Sequence, residues 1–143
     1  GGFALGLAMN GTGLAENAVK SIPFDTFIPI VIMIVSGLVC FALSNFISNT
    51  ATAALLIPIL TVVCAGMGSS LESIGGTSTI IIGVAVAASC AMSLPISTPP
   101  NAIAYSTGLI QQTDMVKAGL TIGLISMILG YGVLITFCKM GVL

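Results

Sequence analysis

The chain has 143 residues, 57% hydrophobic and 5% charged, with three basic residues, four acidic residues and no histidine, for a net charge of −1. Soluble domains carry about a quarter charged residues, so this composition, with a mean hydropathy of +1.21, excludes an aqueous fold and places the chain in a bilayer. The missing histidine excludes imidazole chemistry, and the lack of any basic run argues against nucleic acid or an anionic membrane surface as a partner.

In chain order, residues 1–11 (GGFALGLAMNG) open without a methionine and without a basic stretch before the apolar run. They read as the end of a truncated helix, not a signal peptide, and the chain as part of a longer membrane protein. Residues 12–22 (TGLAENAVKSI) are short, carry Glu16 and Lys20, and stop before Pro23, which predicts an interfacial helix. Charges settle at membrane interfaces, so the uncharged run 26–71 between Asp25 and Glu72 is long enough for two helical legs. The midpoint falls at Ser48–Asn49, which makes 26–68 a helical hairpin with Ser48, Asn49 and Thr50 at its tip. Leg one is predicted over 26–46, with Asp25 as N-cap and Pro29 in the first turn. Leg two is predicted over 51–68, perturbed by Pro58 and ending in GMGSS. The tip could lie in the far headgroups or be held inside protein at intermediate depth. It carries no Lys, Asp, Gly or aromatic anchor of the kind interfacial turns use, which favours the second.

The next uncharged run, 73–113, reads as a broken transmembrane helix over about 77–110. A first half runs from near Thr77 to about Ser93. The segment LPISTPPN interrupts it with Pro95, Pro99 and Pro100, and a second half restarts with Thr98 as cap and Pro99 at its first position. The uncharged stretch 118–138 is one ordinary span, predicted over about 115–139, with Gly119 and Gly123 spaced for close helix packing. Cys40, Cys64, Cys90 and Cys138 are widely separated within apolar segments and read as small hydrophobes.

Two polar interruptions, near 47–50 and 95–101, therefore fall in an uncharged chain. Unwound backbone survives in a membrane only when buried in protein or lining a watery cavity. Helix starts near Asn49 and Thr98 offer free N–H groups and partial positive charge to an anion. The carbonyls freed just before them, from Ser44 to Ile47 and from Pro95 to Ser97, suit a small hard cation. Ser, Asn and Thr are also ordinary caps and Thr-Pro-Pro-Asn an ordinary kink, but two such breaks in one chain exceed what packing alone requires.

The run SNTATAALLIPI, followed by LPISTPPNAIAYSTG, resembles the divalent anion:sodium symporter family, whose members carry dicarboxylates, citrate or sulfate. The order of the motifs, with the opening GGFALGLAMNGTGLAE, resembles the C-terminal inverted repeat of that family. The resemblance implies an all-α membrane protein forming one repeat of a secondary transporter: a re-entrant hairpin (26–68), then a broken helix and last span (77–143). It implies sodium ligation by Ser44, Ile47 (carbonyl), Asn49 and Ser97 (carbonyl). Ser44 and Ser97 stand where the family often has Thr and Ala. It further implies anion contacts at Ser48, Asn49, Thr50, Thr98, Pro99 and Asn101, with no cofactor beyond the coupling ion.

The partner Ser-Asn-Thr and the other sodium site would belong to an N-terminal repeat outside this sequence. The family also implies elevator-type movement, a homodimer in a bacterial inner (plasma) membrane, an outer-side location for Asp25, Glu72 and Lys139, and a cytoplasmic one for Lys117. A sodium-independent exchanger, a proton-coupled carrier and a non-transporting membrane subunit are the rival readings. An enzyme is not supported, because the four acidic residues all fall at predicted interfaces.

Overall fold

The computed structural model describes residues 11–12 and 28–142, so the interfacial helix expected over 12–22 and the cap expected at Asp25 lie essentially outside the described residues. Five α-helices follow: α1 (Pro29–Phe46), α2 (Asn49–Met67), α3 (Gly76–Cys90), α4 (Pro99–Ser106) and α5 (Gln112–Lys139), with a 3₁₀ segment over Gly68–Ile74. Three helical stretches, Pro29–Phe46, Asn49–Ile74 and Gln112–Lys139, are long and apolar enough to cross a membrane. The chain is thus an all-α integral membrane protein.

Leg one starts later than expected. Its N-cap is Ile28, in extended conformation (φ −68°, ψ 128°), and Pro29 opens the helix. Proline drives the residue before it out of the α region, so the helix cannot extend back to 26 through that bond. Leg two starts earlier, at Asn49, because the Ser48 side chain caps it by accepting the Ala51 N–H at 3.2 Å. Helix α2 continues through Pro58, whose missing N–H deprives the Ala54 carbonyl of its usual donor. It stops at Gly68, where φ is 53°. The GMGSS region is not a simple loop: it winds into the 3₁₀ segment and buries Leu71 beneath it.

The broken helix is shorter on both sides of its interruption than the sequence suggests. Helix α3 ends at Cys90, not Ser93, and α4 ends at Ser106, not Ile110. The Ser106 and Thr107 hydroxyls bond back to the carbonyls of Ile103 and Ala104, both at 2.7 Å. Gly108, with φ 73°, then turns the chain, which leaves Gln112 as the start of α5, three residues ahead of the predicted 115. Asp114 in its first turn and Lys139 in its last complement the helix dipole.

Helix α3 is the centre of the packing. Ile80, Val84, Ala87 and Ala88 are buried against Met33, Cys40 and Phe41 of α1 and Met127, Tyr131 and Leu134 of α5, while α2 adds Leu60, Val63 and Cys64. Small residues let the backbones approach. A Cβ at Gly119 would come within 2.5 Å of the Ser93 Cα, and one at Gly123 within 2.6 Å of the Cys90 carbonyl oxygen. Helix α5 therefore lies directly on the chain where α3 ends. At its middle, the Tyr131 hydroxyl donates to Gly83 O at 3.0 Å and lies 3.4 Å from Met33 O. A Cβ on Gly37 would occupy the place of the Tyr131 hydroxyl.

Tyr131→Phe should cost only about 1 kcal/mol, the loss of one interhelical hydrogen bond. Gly37→Leu should cost more, because Tyr131 must leave its slot. Thermal unfolding of the full-length protein in detergent checks the order: equal melting temperatures for the two variants would contradict this packing.

Candidate functional site

The last turn of α1 is uncharged and polar on one side. Ser44 is 0% exposed, its Oγ 3.9 Å from the Cys40 sulfur. Asn45, 5% exposed, is bonded at both ends of its amide and through its backbone carbonyl. Its Nδ2 donates to Phe41 O at 2.8 Å, and its Oδ1 accepts the Ser93 N–H at 3.0 Å. Its backbone carbonyl accepts the Ser97 hydroxyl, also at 3.0 Å. One residue thus ties the end of leg one to two points of the interruption in the broken helix.

Across the tip, Asn49 begins α2 and its Nδ2 donates to the Ala91 carbonyl at 3.2 Å. The interruption is also closed on itself. Asn101 Nδ2 donates to Met92 O at 2.6 Å and Leu94 O at 3.2 Å. Thr98 caps α4 by accepting the Asn101 N–H at 3.4 Å, and the Ser97 hydroxyl receives the Leu94 N–H at 3.4 Å. Freed backbone groups in an apolar setting need such partners, and side-chain amides supply most of them. Two causes end α3 early: Pro95 has no N–H to give the Ala91 carbonyl, which the Asn49 amide satisfies instead, and Asn45 takes the Ser93 N–H.

The two interrupted stretches therefore meet. Helices α1 and α3 bring their carbonyl-rich C-terminal ends to this place, and α2 and α4 bring their N–H-rich starts. The first pair favours a cation and the second an anion. The seven charges lie elsewhere in the sequence. Three buried oxygens in the region carry no hydrogen bond: Asn49 Oδ1, Thr52 Oγ1 and Ser93 Oγ. Thr52 is 1% exposed and sits one turn beyond Asn49. Elsewhere in these helices Thr61, Thr121 and Thr136 each donate back to the carbonyl four residues earlier, a bond Thr52 forgoes.

Of the residues singled out in the sequence, Ser44 is fully buried beside Asn45, Asn49 touches the interruption, and Ser97 is pinned to the end of leg one. Ile47 lies at the α1 C-cap, its N–H on Leu43 O at 2.9 Å and its side chain exposed. Ser48, Thr50 and Pro99 are exposed, and Thr98 is half-buried. The Asn101 amide is committed to the interruption. Among the described residues the tip is covered on one flank only, with Phe46 71% exposed, so they do not complete the expected enclosure of the tip. Sequence reasoning missed Asn45, Thr52 and the Ala91 carbonyl. The available signals were an isolated asparagine in an apolar leg, which lipid cannot satisfy, and a threonine three residues after Asn49, on the same helix face.

Helices that stop and restart inside a membrane protein, with their ends gathered at one place, are the building plan of secondary carriers. The sequence profile of the sodium:sulfate symporter transmembrane region matches residues 3–142, and the chain belongs to that family. It is 35% identical over 131 residues, 90% of its length, to an uncharacterized transporter of Haemophilus influenzae. It is 35% identical over 132 residues, again 90% of its length, to a sodium-dependent dicarboxylate transporter of Staphylococcus aureus. Over 125 residues, 87% of its length, it is 34% identical to the sodium-dependent low-affinity dicarboxylate transporter 1 of Caenorhabditis elegans. The chain spans only 27%, 24% and 20% of those relatives. They are carriers, not enzymes.

Asn101→Ala removes the two amide bonds to the Met92 and Leu94 carbonyls. Losing about 1–3 kcal/mol of local stability should speed amide hydrogen exchange of residues 94–97 by roughly tenfold or more, read by mass spectrometry. Unchanged exchange would show that Asn101 does not hold the segment.

Proposed function

We propose that the full-length protein containing this chain is a sodium-coupled carrier of a divalent anion: a dicarboxylate, citrate or sulfate. The observation that carries this reading is the meeting of the two interruptions, through Asn45, Asn49 and Ser97, in a region without a charged side chain among the described residues. Sodium requires only neutral oxygens. Ser44, Asn49 and the carbonyls of Ile47 and Ser97 are the ligands we assign to it, with Ala91 O and Thr52 Oγ1 nearby in the fold.

The anion is assigned to the helix starts, at Ser48, Asn49 and Thr50 on one side and Thr98 and Pro99 on the other. Asn101 supports them from behind. Each helix start contributes about half an elementary charge, so two starts offset about one of the two charges of a dianion. At about 4 Å and an effective dielectric near 20, a sodium ion adds about 4 kcal/mol of attraction. A cation in the site is therefore the physical reason for coupling: without it, this half of the pocket is electrostatically short by about one charge.

Further proposals rest on family membership. The hairpin and the broken helix move together as an elevator-type transport body. A second, inverted repeat completes the pocket against the exposed flank of the tip. The carrier works as a homodimer in a plasma membrane, the inner membrane in a bacterium.

Asn49→Ala should reduce sodium-dependent succinate or sulfate uptake to background in proteoliposomes, with the full-length protein still folded by size-exclusion chromatography. Uptake at the wild-type rate would remove the triplet from the site. Replacing sodium with choline should abolish wild-type uptake; uptake that persists would favour a sodium-independent exchanger or a proton-coupled carrier of the same fold.

A further inference from the structure

Asn45 sits between the residues assigned to the cation and those assigned to the anion. It follows Ser44 directly and precedes the α1 C-cap at Ile47 by two residues. Its side chain and its carbonyl hold separate points of the interruption, Ser93 N–H and Ser97 Oγ, each at 3.0 Å. Ser97 leads directly into Thr98 and Pro99, the start of α4.

The surroundings offer no substitute for these bonds. A cavity of about 320 Å³ beside Asn45 and Ser93 is walled by Phe41, Phe46, Leu94, Val116 and Leu120, so water there would find few polar partners. The third bond, from Nδ2 to Phe41 O at 2.8 Å, fixes the amide orientation, leaving Oδ1 as the acceptor that faces Ser93. The residue is therefore locked at both ends of its amide.

We propose that Asn45 is the positioning residue that couples the two ligands: it holds the last turn of α1 and the interruption in one register, so that a cation ordering residues 44–49 also sets Ser97, Thr98 and Pro99 for the anion. This rests on the sodium-coupled reading above. Asn45 touches neither ligand. Its effect appears as the dependence of anion affinity on sodium, a quantity that a purely structural role would leave unchanged in folded protein.

The test uses the purified full-length protein, with succinate and sulfate as probes, and compares equilibrium affinity at low and at saturating sodium. In the wild type, sodium raises the affinity. In Asn45→Ala that gain should fall roughly fivefold or more. Ser97→Ala, which removes one hydroxyl and keeps the backbone, should lower it in the same direction even if Asn45→Ala fails to fold, and Ser97→Thr should restore it. Ser93→Ala should keep the wild-type gain, because the hydroxyl of Ser93 makes no bond and only its N–H is held. If the wild type shows the gain and Ser97→Ala keeps it in full, the coupling role of Asn45 is overturned while the carrier reading stands. If the wild type binds both probes equally well with and without sodium, the carrier reading falls and this proposal with it.

Discussion

In a medium without water, every backbone group released from a helix must find another partner, and the rest of this structure follows from how that demand is met. Helix α1 stops at Phe46, α3 at Cys90, and the chain runs unwound from Ala91 to Thr98. Lipid supplies neither donors nor acceptors. Asparagines 45, 49 and 101 supply them: Asn45 holds the Ser93 N–H, Asn49 the Ala91 carbonyl that Pro95 leaves without a donor, and Asn101 the Met92 and Leu94 carbonyls. The interruptions persist because they satisfy one another across the hairpin.

That mutual satisfaction also has chemical consequences. Bringing two helix C-termini and two helix N-termini to one place concentrates opposite partial charges, with no ionised side chain there among the described residues. A fixed carboxylate or lysine would bind its counter-ion whether or not the other ligand was present. Neutral oxygens and helix ends hold either ligand weakly alone, and a cation with an anion much better together. Obligatory coupling is thus a natural property of an uncharged site. The unbonded oxygens of Asn49 and Thr52 belong to the same pattern, since each is buried with acceptor capacity left over. The glycine face of α5, pressed on the backbone at Cys90 and Ser93, keeps the interruption from drifting outward.

Much of this was legible in the sequence. Charges at Asp25, Glu72, Asp114, Lys117 and Lys139 bracket the apolar runs, prolines mark the interruption, and Thr98 is a cap in both reading and structure. Less legible were the limits set by long-range contacts. Helix α3 ends three residues before Ser93: Pro95 leaves the Ala91 carbonyl without a helical donor, a signal present in the sequence, whereas the Asn45 amide that takes the Ser93 N–H lies 48 positions away and leaves no local trace. Asn45 escaped notice for a related reason: polar runs draw attention, whereas a lone asparagine in an apolar leg is informative only once its partner is known. The Asn101 amide has a role that no spacing argument distinguishes, since a residue lining a ligand site and one bracing it look alike in sequence.

We propose that the meeting point of 44–49 and 91–98 holds a sodium ion. Electron cryo-microscopy of the full-length protein in sodium and in choline, each with the same anion present, tests it most directly. The account predicts density for an ion among the Ser44, Asn49 and neighbouring carbonyl oxygens in sodium, lost in choline together with order at the hairpin tip. Identical maps at this position under the two conditions would contradict it.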